Sequence, residues 1–458
     1  MNRKLLIILT IVVVLLSYFC FQKISGGYEP DIEFKNLQLN VKEIQLNGGF
    51  KPIWFSKTEN PAVAIEVVFH NEGARSFKDT PGILKLTVST VLSGSKKYSE
   101  KEIHELFIDN NIDLSLESDS DDLMIHIYTV SKNFELAINL AEEVFSNAIF
   151  DNKKLKIQKQ KIIENYNQAR FYGDYIADQE LSKLIYGEDH PYYEGNIDYV
   201  IPKIQKYTQN DIRLCYGKLL VPKDATVTIA GNVDETLIKK CFTNMFNNLS
   251  RIKKNNFKEV IQTAEIKNPG KIIHKELDTS QSTIIFALPG ILRDSNEKFA
   301  YVFVNEFLGG SSVAFNNKLF KEIRDKSGLA YAIGTEISNR DMSSVLFGFA
   351  KTAPENVGKL IEKTKEVIKK TAEEGLSNED LKYYKICKYS RQPMETCKDI
   401  VSFLSKCRFN NVKLTEINSY PFNYYKLTVE EVNKVMKKIL NVNNMVFVDC
   451  GKTVLEAK

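Results

Sequence analysis

Two kinds of apolar spacing alternate along this chain, and together they predict a mixture of strands and helices. Short runs rich in apolar and β-branched residues favour strands, at 62–69, 114–117, 123–129 and 225–230. Apolar residues three and four positions apart favour amphipathic helices, at 83–92, 134–146, 151–184 with a break near Gly173, and 237–247. Ser99 with Glu102, and Thr208 with Asp211, have the spacing of capping boxes, so one helix is predicted to begin just after Ser99 and another just after Thr208.

The second half of the chain repeats this order of elements. Strands at 282–288 and 345–350 and helices at 299–308 and 354–370 follow their counterparts at an offset of about two hundred residues. A stretch rich in lysine and asparagine separates the halves. The pattern predicts an α+β fold of two similar domains, each an antiparallel sheet with helices packed on one face. The predicted bounds are 28–249 and 271–458, with a linker at 250–270.

The N-terminus carries a strongly apolar segment. Arg3 and Lys4 precede an uncharged run at 5–21, and Lys23 closes it. A positive flank before such a run is typical of an export signal or a membrane anchor. Residues 1–27 are therefore predicted to be either a signal anchor or a cleaved signal peptide. The anchor reading places the chain at the inner membrane through residues 5–21, with its bulk in the periplasm or otherwise outside the cytoplasm; the cleaved, soluble form is the alternative.

Composition and cysteine spacing narrow the candidate chemistry. The chain has 458 residues and a formal net charge of only +4, which gives no argument for a nucleic-acid partner. None of the seven cysteines forms a Cys-x-x-Cys pair, so zinc bound by cysteine is not expected. Cys387, Cys397 and Cys407 are candidates for a disulfide in an exported protein, and buried thiols are the alternative reading.

One segment, 308–331, combines a glycine pair, a short helix and two polar side chains. The apolar spacing predicts a helix at 317–326 that ends near Gly328, and a strand begins just beyond it. Arg324 falls in the last helical turn and Tyr331 at the start of the strand. A guanidinium and a phenol placed together there are suited to hold the carbonyls or carboxylate of an extended peptide. The alternative is a solvated arginine and a half-buried tyrosine.

The spacing Leu-Phe-x-x-Ile-Arg, followed by Gly-Leu-Ala-Tyr, resembles the C-terminal half of the pitrilysin/insulinase family of zinc peptidases. The nearest branch is the mitochondrial processing peptidase type. The resemblance runs from about residue 41 to the C-terminus. It implies two similar domains that face each other across a cleft, and it assigns substrate-backbone binding to Arg324 and Tyr331.

The same resemblance locates the family's metal motif, His-x-x-Glu-His on a helix, with a third ligand on a later helix. In this chain those positions are occupied by Lys85, Val88, Ser89 and, for the third ligand, Asn165. Lysine brings a cation where a neutral imidazole is needed, valine cannot act as a base, and serine is a weak zinc ligand. Glu164 is adjacent to the third position, but one residue along a helix rotates a side chain by about 100°. No catalytic residue and no metal site are therefore expected.

These residues favour a non-catalytic subunit. Such a chain would bind extended peptide or unfolded protein and pair with a zinc-bearing homologue, so that zinc is expected only in the partner. One alternative is a stand-alone peptide-binding or scaffold protein. Another is an active zinc metalloendopeptidase with a displaced metal site, which would itself bind zinc and hydrolyse peptides.

Overall fold

The computed structural model describes residues 37–46, 50–57, 59–70, 79–119, 121–220, 225–249, 266, 268–311, 315–390 and 394–453. Two sheets and a set of helices fill these ranges. The strands are β1 (Val41–Glu43), β2 (Ile53–Phe55), β3 (Ala62–His70), β4 (Asp113–Ser118), β5 (Asp122–Val130), β6 (Ala225–Gly231), β7 (Ile272–Glu276), β8 (Ser282–Pro289), β9 (Ala332–Arg340), β10 (Ser343–Thr352) and β11 (Val446–Gly451).

Most helices begin where capping chemistry and apolar spacing place them. Capping boxes precede the second and seventh helices, at Ser99 and Thr208, as predicted. The helices are α1 (Ile83–Val91), α2 (Glu100–Asp109), α3 (Phe134–Ser146), α4 (Asn152–Ala169), α5 (Gly173–Tyr186), α6 (Ile197–Lys206), α7 (Gln209–Leu219), α8 (Glu235–Leu249), α9 (Lys298–Leu308), α10 (Val357–Glu374), α11 (Asn378–Ser390), α12 (Cys397–Phe409) and α13 (Val429–Ile439).

Apart from the additional edge strand β1 of the first sheet, the two sheets share one strand order, which confirms the predicted internal repeat and the α+β class. The first sheet runs β1-β2-β6-β3-β5-β4, and the second runs β7-β11-β8-β10-β9 at an offset of about 220 residues. The sheets are not purely antiparallel, however. Strand β2 is parallel to β6, and β7 is parallel to β11. Parallel neighbours need a long crossover between them, and in each half the helices, apart from α8, lie along the chain between the two strands that pair in parallel.

Helices cover both faces of each sheet, because each half contributes one helix to the sheet of the other half. Helix α5 belongs to the first half of the chain, yet its buried Leu181 packs with Ile285 and Val448 of the second sheet. Helix α12 belongs to the second half, and its Leu404 packs with Ala64 of the first sheet. Each half thus covers the far face of the other half's sheet, so the halves share their cores.

Helix α12 was absent from the sequence-based expectation, although a signal for it exists. Thr396 and Asp399 form a capping box, and Ile400, Val401 and Leu404 follow at helical spacing. Cys397 and Cys407 on this helix are buried free thiols, and Cys387 is a free thiol as well.

The segment predicted as a helix at 317–326 is wound more widely than expected. Residues Phe320–Asp325 form a π-helix, in which the Lys326 N–H donates to the Lys321 carbonyl five residues earlier. The Ser327 hydroxyl donates to two carbonyls of this turn, at 2.8 and 2.9 Å. Short π-helical turns are rare and often occur at functional sites.

The predicted apolar N-terminal helix, residues 1–27, lies outside the described residues, as does most of the predicted linker at 250–270. None of the helices within the described ranges is long and apolar enough to cross a membrane. The predicted bounds of the two domains stay a prediction.

Candidate functional site

A cavity of about 760 Å³ lies beside α1, where residues of both halves meet. It is bounded by α1, the end of β4, helix α5 and the segment after α5, and Arg340 of β9 closes it from the second half. The lining residues are Leu84, Lys85, Val88, Ser89, Leu92, Leu116, Glu117, Ser118, Asp119, Asp178, Gln179, Ser182, Tyr192, Glu194 and Arg340. All three motif positions of α1 therefore face one cavity, as residues at this helical spacing should.

The side chains at these positions do not fit a zinc ion. The Lys85 ammonium lies 5.1 Å from the centre of the Tyr166 ring on α4. The Ser89 hydroxyl donates to the Leu86 carbonyl at 2.9 Å, and Val88 packs against the first core. Asn165 is exposed on α4 and does not line the described cavity. Within the described residues, no three or more His, Cys, Asp and Glu side chains are grouped so as to hold a metal.

Burial raises the pKa of two carboxyl groups that line the cavity. Burial raises the pKa of Asp119, and the N–H groups of Asp121 and Asp122, which donate to its carboxylate, only partly offset this effect. Burial also raises the pKa of Asp178 on α5, and the opposing attraction of Arg340 is smaller. The cavity is thus polar and rich in carboxyl groups, with Lys85 and Arg340 as its cations.

Tyr192 joins the two halves at the wall of this cavity. Its hydroxyl donates to the buried Asp121 carboxylate at 2.6 Å and accepts the Met342 N–H at 3.2 Å. The same carboxylate accepts the Asp341 N–H at 3.2 Å, and the Arg340 guanidinium lies 4.8 Å from the Tyr192 ring centre. The contact of the His190-Pro191-Tyr192 turn with the second half could not be predicted from the sequence.

Arg324 and Tyr331 lie on a different surface. The Arg324 guanidinium lies 4.7 Å from the centre of the Phe320 ring, whose other neighbour is the edge of Phe315 at 5.2 Å. Tyr331 donates its backbone N–H to the Lys351 carbonyl at 2.8 Å, while its side chain is exposed. Neither residue is part of the described wall of the cavity. The structure therefore separates the predicted substrate-binding residues from the positions of the metal motif.

Comparison with known proteins shows which family this fold belongs to. One family model, described as insulinase, peptidase family M16, matches residues 54–190. A second, described as the peptidase M16 inactive domain, matches residues 206–386. Together they span most of the chain, and both sheets fall largely within them.

The chain belongs to the peptidase M16 family. A non-peptidase homologue, YmxG of Helicobacter pylori, is 22% identical over 84% of this chain and 88% of its own length. The crystal structure of a peptidase M16 inactive domain from Pseudomonas fluorescens superimposes with a TM-score of 0.83, at 22% identity, over 92% of this chain and all of that one. The periplasmic protease PqqL of Escherichia coli has a TM-score of 0.74 at 15% identity, and this M16 chain spans 47% of its length.

The resemblance to the pitrilysin/insulinase family is thereby confirmed. Within that family, this M16 chain resembles the inactive members, because the positions of the metal motif hold a lysine, a valine and a serine. The polar and aromatic side chains described above are cations, carboxyl groups and aromatic rings.

Proposed function

We propose that this M16 chain is a non-catalytic subunit that binds extended peptide and pairs with a zinc-bearing homologue. Arg324 and Tyr331 would hold the peptide backbone, because a guanidinium offers several donors to carbonyl oxygens and a phenol offers one more. The partner would supply zinc, the activated water and the general base. A peptide or an unfolded protein would be the substrate of the pair.

The observation that carries this proposal is the separation of the two surfaces. The Arg324 and Tyr331 side chains face solvent, whereas the motif positions on α1 face a cavity that neither residue reaches. Even an intact zinc site on α1 would therefore not meet these two side chains within one chain. A second chain, docked over the Arg324 surface, would bring a metal to it.

Arg324 is also held in place before any peptide arrives. Its guanidinium is packed on the Phe320 ring, and the π-helical turn that places the two together is closed by the Ser327 hydroxyl. A side chain ordered in advance loses less entropy on binding. This favours a recognition role over that of a solvated surface arginine.

The location of the chain enters as part of the proposal. The apolar run at 5–21 with its positive flank favours an inner-membrane anchor and a bulk exposed outside the cytoplasm. The similarity to PqqL, which is described as periplasmic, is consistent with this placement.

The test uses the full chain, together with the zinc-bearing homologue from the same organism. Co-elution of the two on size exclusion, and cleavage of an unfolded test protein by the pair, are expected. Arg324→Ala should lower the affinity for peptide about ten- to hundredfold, since a hydrogen bond from a charged donor contributes about 1.5–3 kcal/mol. Arg324→Lys should restore little, because an ammonium lacks the planar fork, and Tyr331→Phe should cost less than Arg324→Ala.

The alternatives give different results in the same experiment. A stand-alone peptide-binding protein would bind peptide equally well without the homologue and would not co-elute with it. An active enzyme with a displaced metal site would cleave the test protein by itself and lose this activity with a chelator. Unchanged peptide affinity in Arg324→Ala, with the fold intact by thermal melting, would remove the basis of the proposal.

A further inference from the structure

Four exposed aromatic residues belong to elements that meet near the end of the second sheet, where α5 begins. They are Phe171, Tyr172, Tyr331 and Phe349, with exposed fractions of 76, 61, 71 and 39%. We call them the aromatic patch. Isolated exposed apolar residues are common on protein surfaces, whereas a group of them indicates an interaction site.

Contacts around Lys351 hold the four residues in one region. Its carbonyl accepts the Tyr331 N–H at 2.8 Å, and its ammonium contacts the Asp174 carboxylate. Asp174 lies two residues after Tyr172, so this ion pair brings the turn between α4 and α5, which carries Phe171 and Tyr172, against the second sheet.

Two further contacts fix the remaining geometry. The Asp174 carboxylate also accepts the hydroxyl of Thr283 at 2.8 Å, and Thr283 pairs directly with Lys351 across β8 and β10. Phe349 lies on the same face of β10 as Lys351, and its ring lies over Gly334 of β9. A Cβ atom at Gly334 would be 3.0 Å from that ring, so the glycine leaves room for it.

The two charged side chains of this region, Lys351 and Asp174, form an ion pair with each other. Burial opposes ionisation of Asp174, but the hydrogen bonds from Lys351 and Thr283 outweigh it and lower the pKa of this carboxyl group. Lys351 and Asp174 thus form a pair at the centre of the region. Beside this partly exposed pair, the four aromatic rings offer apolar surface to a ligand.

The size of the patch favours a peptide over a folded partner. If a full aromatic side chain contributes about 200 Å², the four exposed fractions leave roughly 500 Å² for a ligand. A stable protein–protein interface needs about 800 Å² from each partner. An extended peptide needs less, and it presents every second side chain to the same surface, at a spacing of about 7 Å.

We propose that the aromatic patch extends the Arg324 and Tyr331 surface into the first half of the chain, and that it selects extended peptides with large apolar or aromatic side chains. Phe171 and Tyr172 are then specificity-determining residues. Arg324 holds the backbone of any peptide, while the patch distinguishes its side chains. This inference rests on the proposed peptide-binding function.

The test compares two labelled peptides by fluorescence anisotropy with the full chain. One is a roughly eight-residue peptide, about 26 Å long when extended, with two phenylalanines two positions apart, and the other has serines in their place. The wild-type chain should bind the phenylalanine peptide about tenfold or more tightly, as expected when aromatic side chains are buried at a binding hot spot. The double variant Phe171→Ser, Tyr172→Ser should lose that preference and bind both peptides alike.

Two controls separate the possible failures. Ile108→Ser removes an apolar side chain that is 75% exposed on α2 and should leave the preference unchanged. Phe171→Ser alone, which spares the residue that precedes α5, should reduce the preference in part. Arg324→Ala should weaken both peptides equally; if it does not, the proposed function fails instead.

The inference is overturned if the double variant keeps the wild-type preference, or if the wild-type chain shows none. If the double variant keeps the preference and, in addition, no longer co-elutes with the zinc-bearing homologue, the patch is a subunit interface instead.

Discussion

Tyr192 should be one of the residues that lock the two halves of the chain together, and Tyr192→Phe tests this with a single atom removed. The variant keeps the ring beneath Arg340 but loses the hydroxyl that bonds Asp121 and Met342. The Asp121 carboxylate retains the Asp341 N–H as a donor. A hydrogen bond to a charged group contributes about 1.5–3 kcal/mol when its partner stays buried, so the free energy of unfolding should fall by about that amount.

The expected change in melting temperature follows from the size of the unit that unfolds. Residues 37–458 form one compact unit, and an unfolding entropy of about 2.1 cal/mol/K per residue gives about 0.9 kcal/mol/K for the whole. The melting temperature of Tyr192→Phe should therefore fall by about 2–3 °C in a calorimetric scan. Tyr199→Phe, on a more exposed phenol of α6, is the matched control and should melt within about half a degree of the wild type. Equal melting of the two variants would refute the claim that Tyr192 ties the halves.

Three further outcomes are expected. Restoring His, Glu and His at the motif positions of α1 should give tight zinc binding only when Asn165→Glu is added, as measured by metal analysis after dialysis. Around helix α4, Asn165 lies about 100° from the buried Tyr166, whereas Glu164 lies about 160° from Tyr166. Tight zinc without Asn165→Glu would show that Glu164 completes the site. Leu404→Ala should lower the free energy of unfolding by about 2–5 kcal/mol in a denaturant titration, because the side chain is fully buried against the first sheet; a loss below about 1 kcal/mol would contradict the exchanged packing. The hydrogen bond to Glu66 raises the pKa of His126 despite burial. The stabilisation that charged His126 gives the fold should therefore be complete below about pH 6.5 and disappear as the pH rises through the higher pKa of the folded state. Thermal melts of His126→Gln should differ from those of the wild type at about pH 5.5 and converge with them above the folded-state pKa.

Local chemistry in the sequence was sufficient to predict most elements. The capping boxes at Ser99 and Thr208 begin helices because the side chains involved are three residues apart and satisfy each other's backbone groups. The apolar spacing of α1 and α3 was enough to place them, and the repeated order of elements indicated two similar sheets. The loss of the metal motif also needed only residue types, since Lys85, Val88 and Ser89 lack the required donors.

The sequence could not show which side chains lie beside the positions of the metal motif. That Lys85 packs on Tyr166, and that the motif positions share a cavity with Asp178 and Arg340, depends on how α1, α4, α5 and β9 meet. The same holds for the distance of Arg324 from that cavity. From the sequence alone, Arg324 could lie beside the motif positions of the same chain. Only the fold shows that the two surfaces are separate.

The sequence by itself determined most of the helices and strands, that the halves repeat, and which side chains with metal-binding chemistry are gone. The tertiary structure alone decided what each apolar face covers. The amphipathic pattern of α5 and α12 requires one buried side for each helix, but any apolar sheet of suitable shape can satisfy that requirement. Which sheet does so is set by the packing of the whole chain, and here each helix crosses to the other half. For the same reason, only the fold brings the turn that carries Phe171 and Tyr172 against the second sheet, because contacts between residues more than one hundred positions apart leave no periodic signal in the sequence.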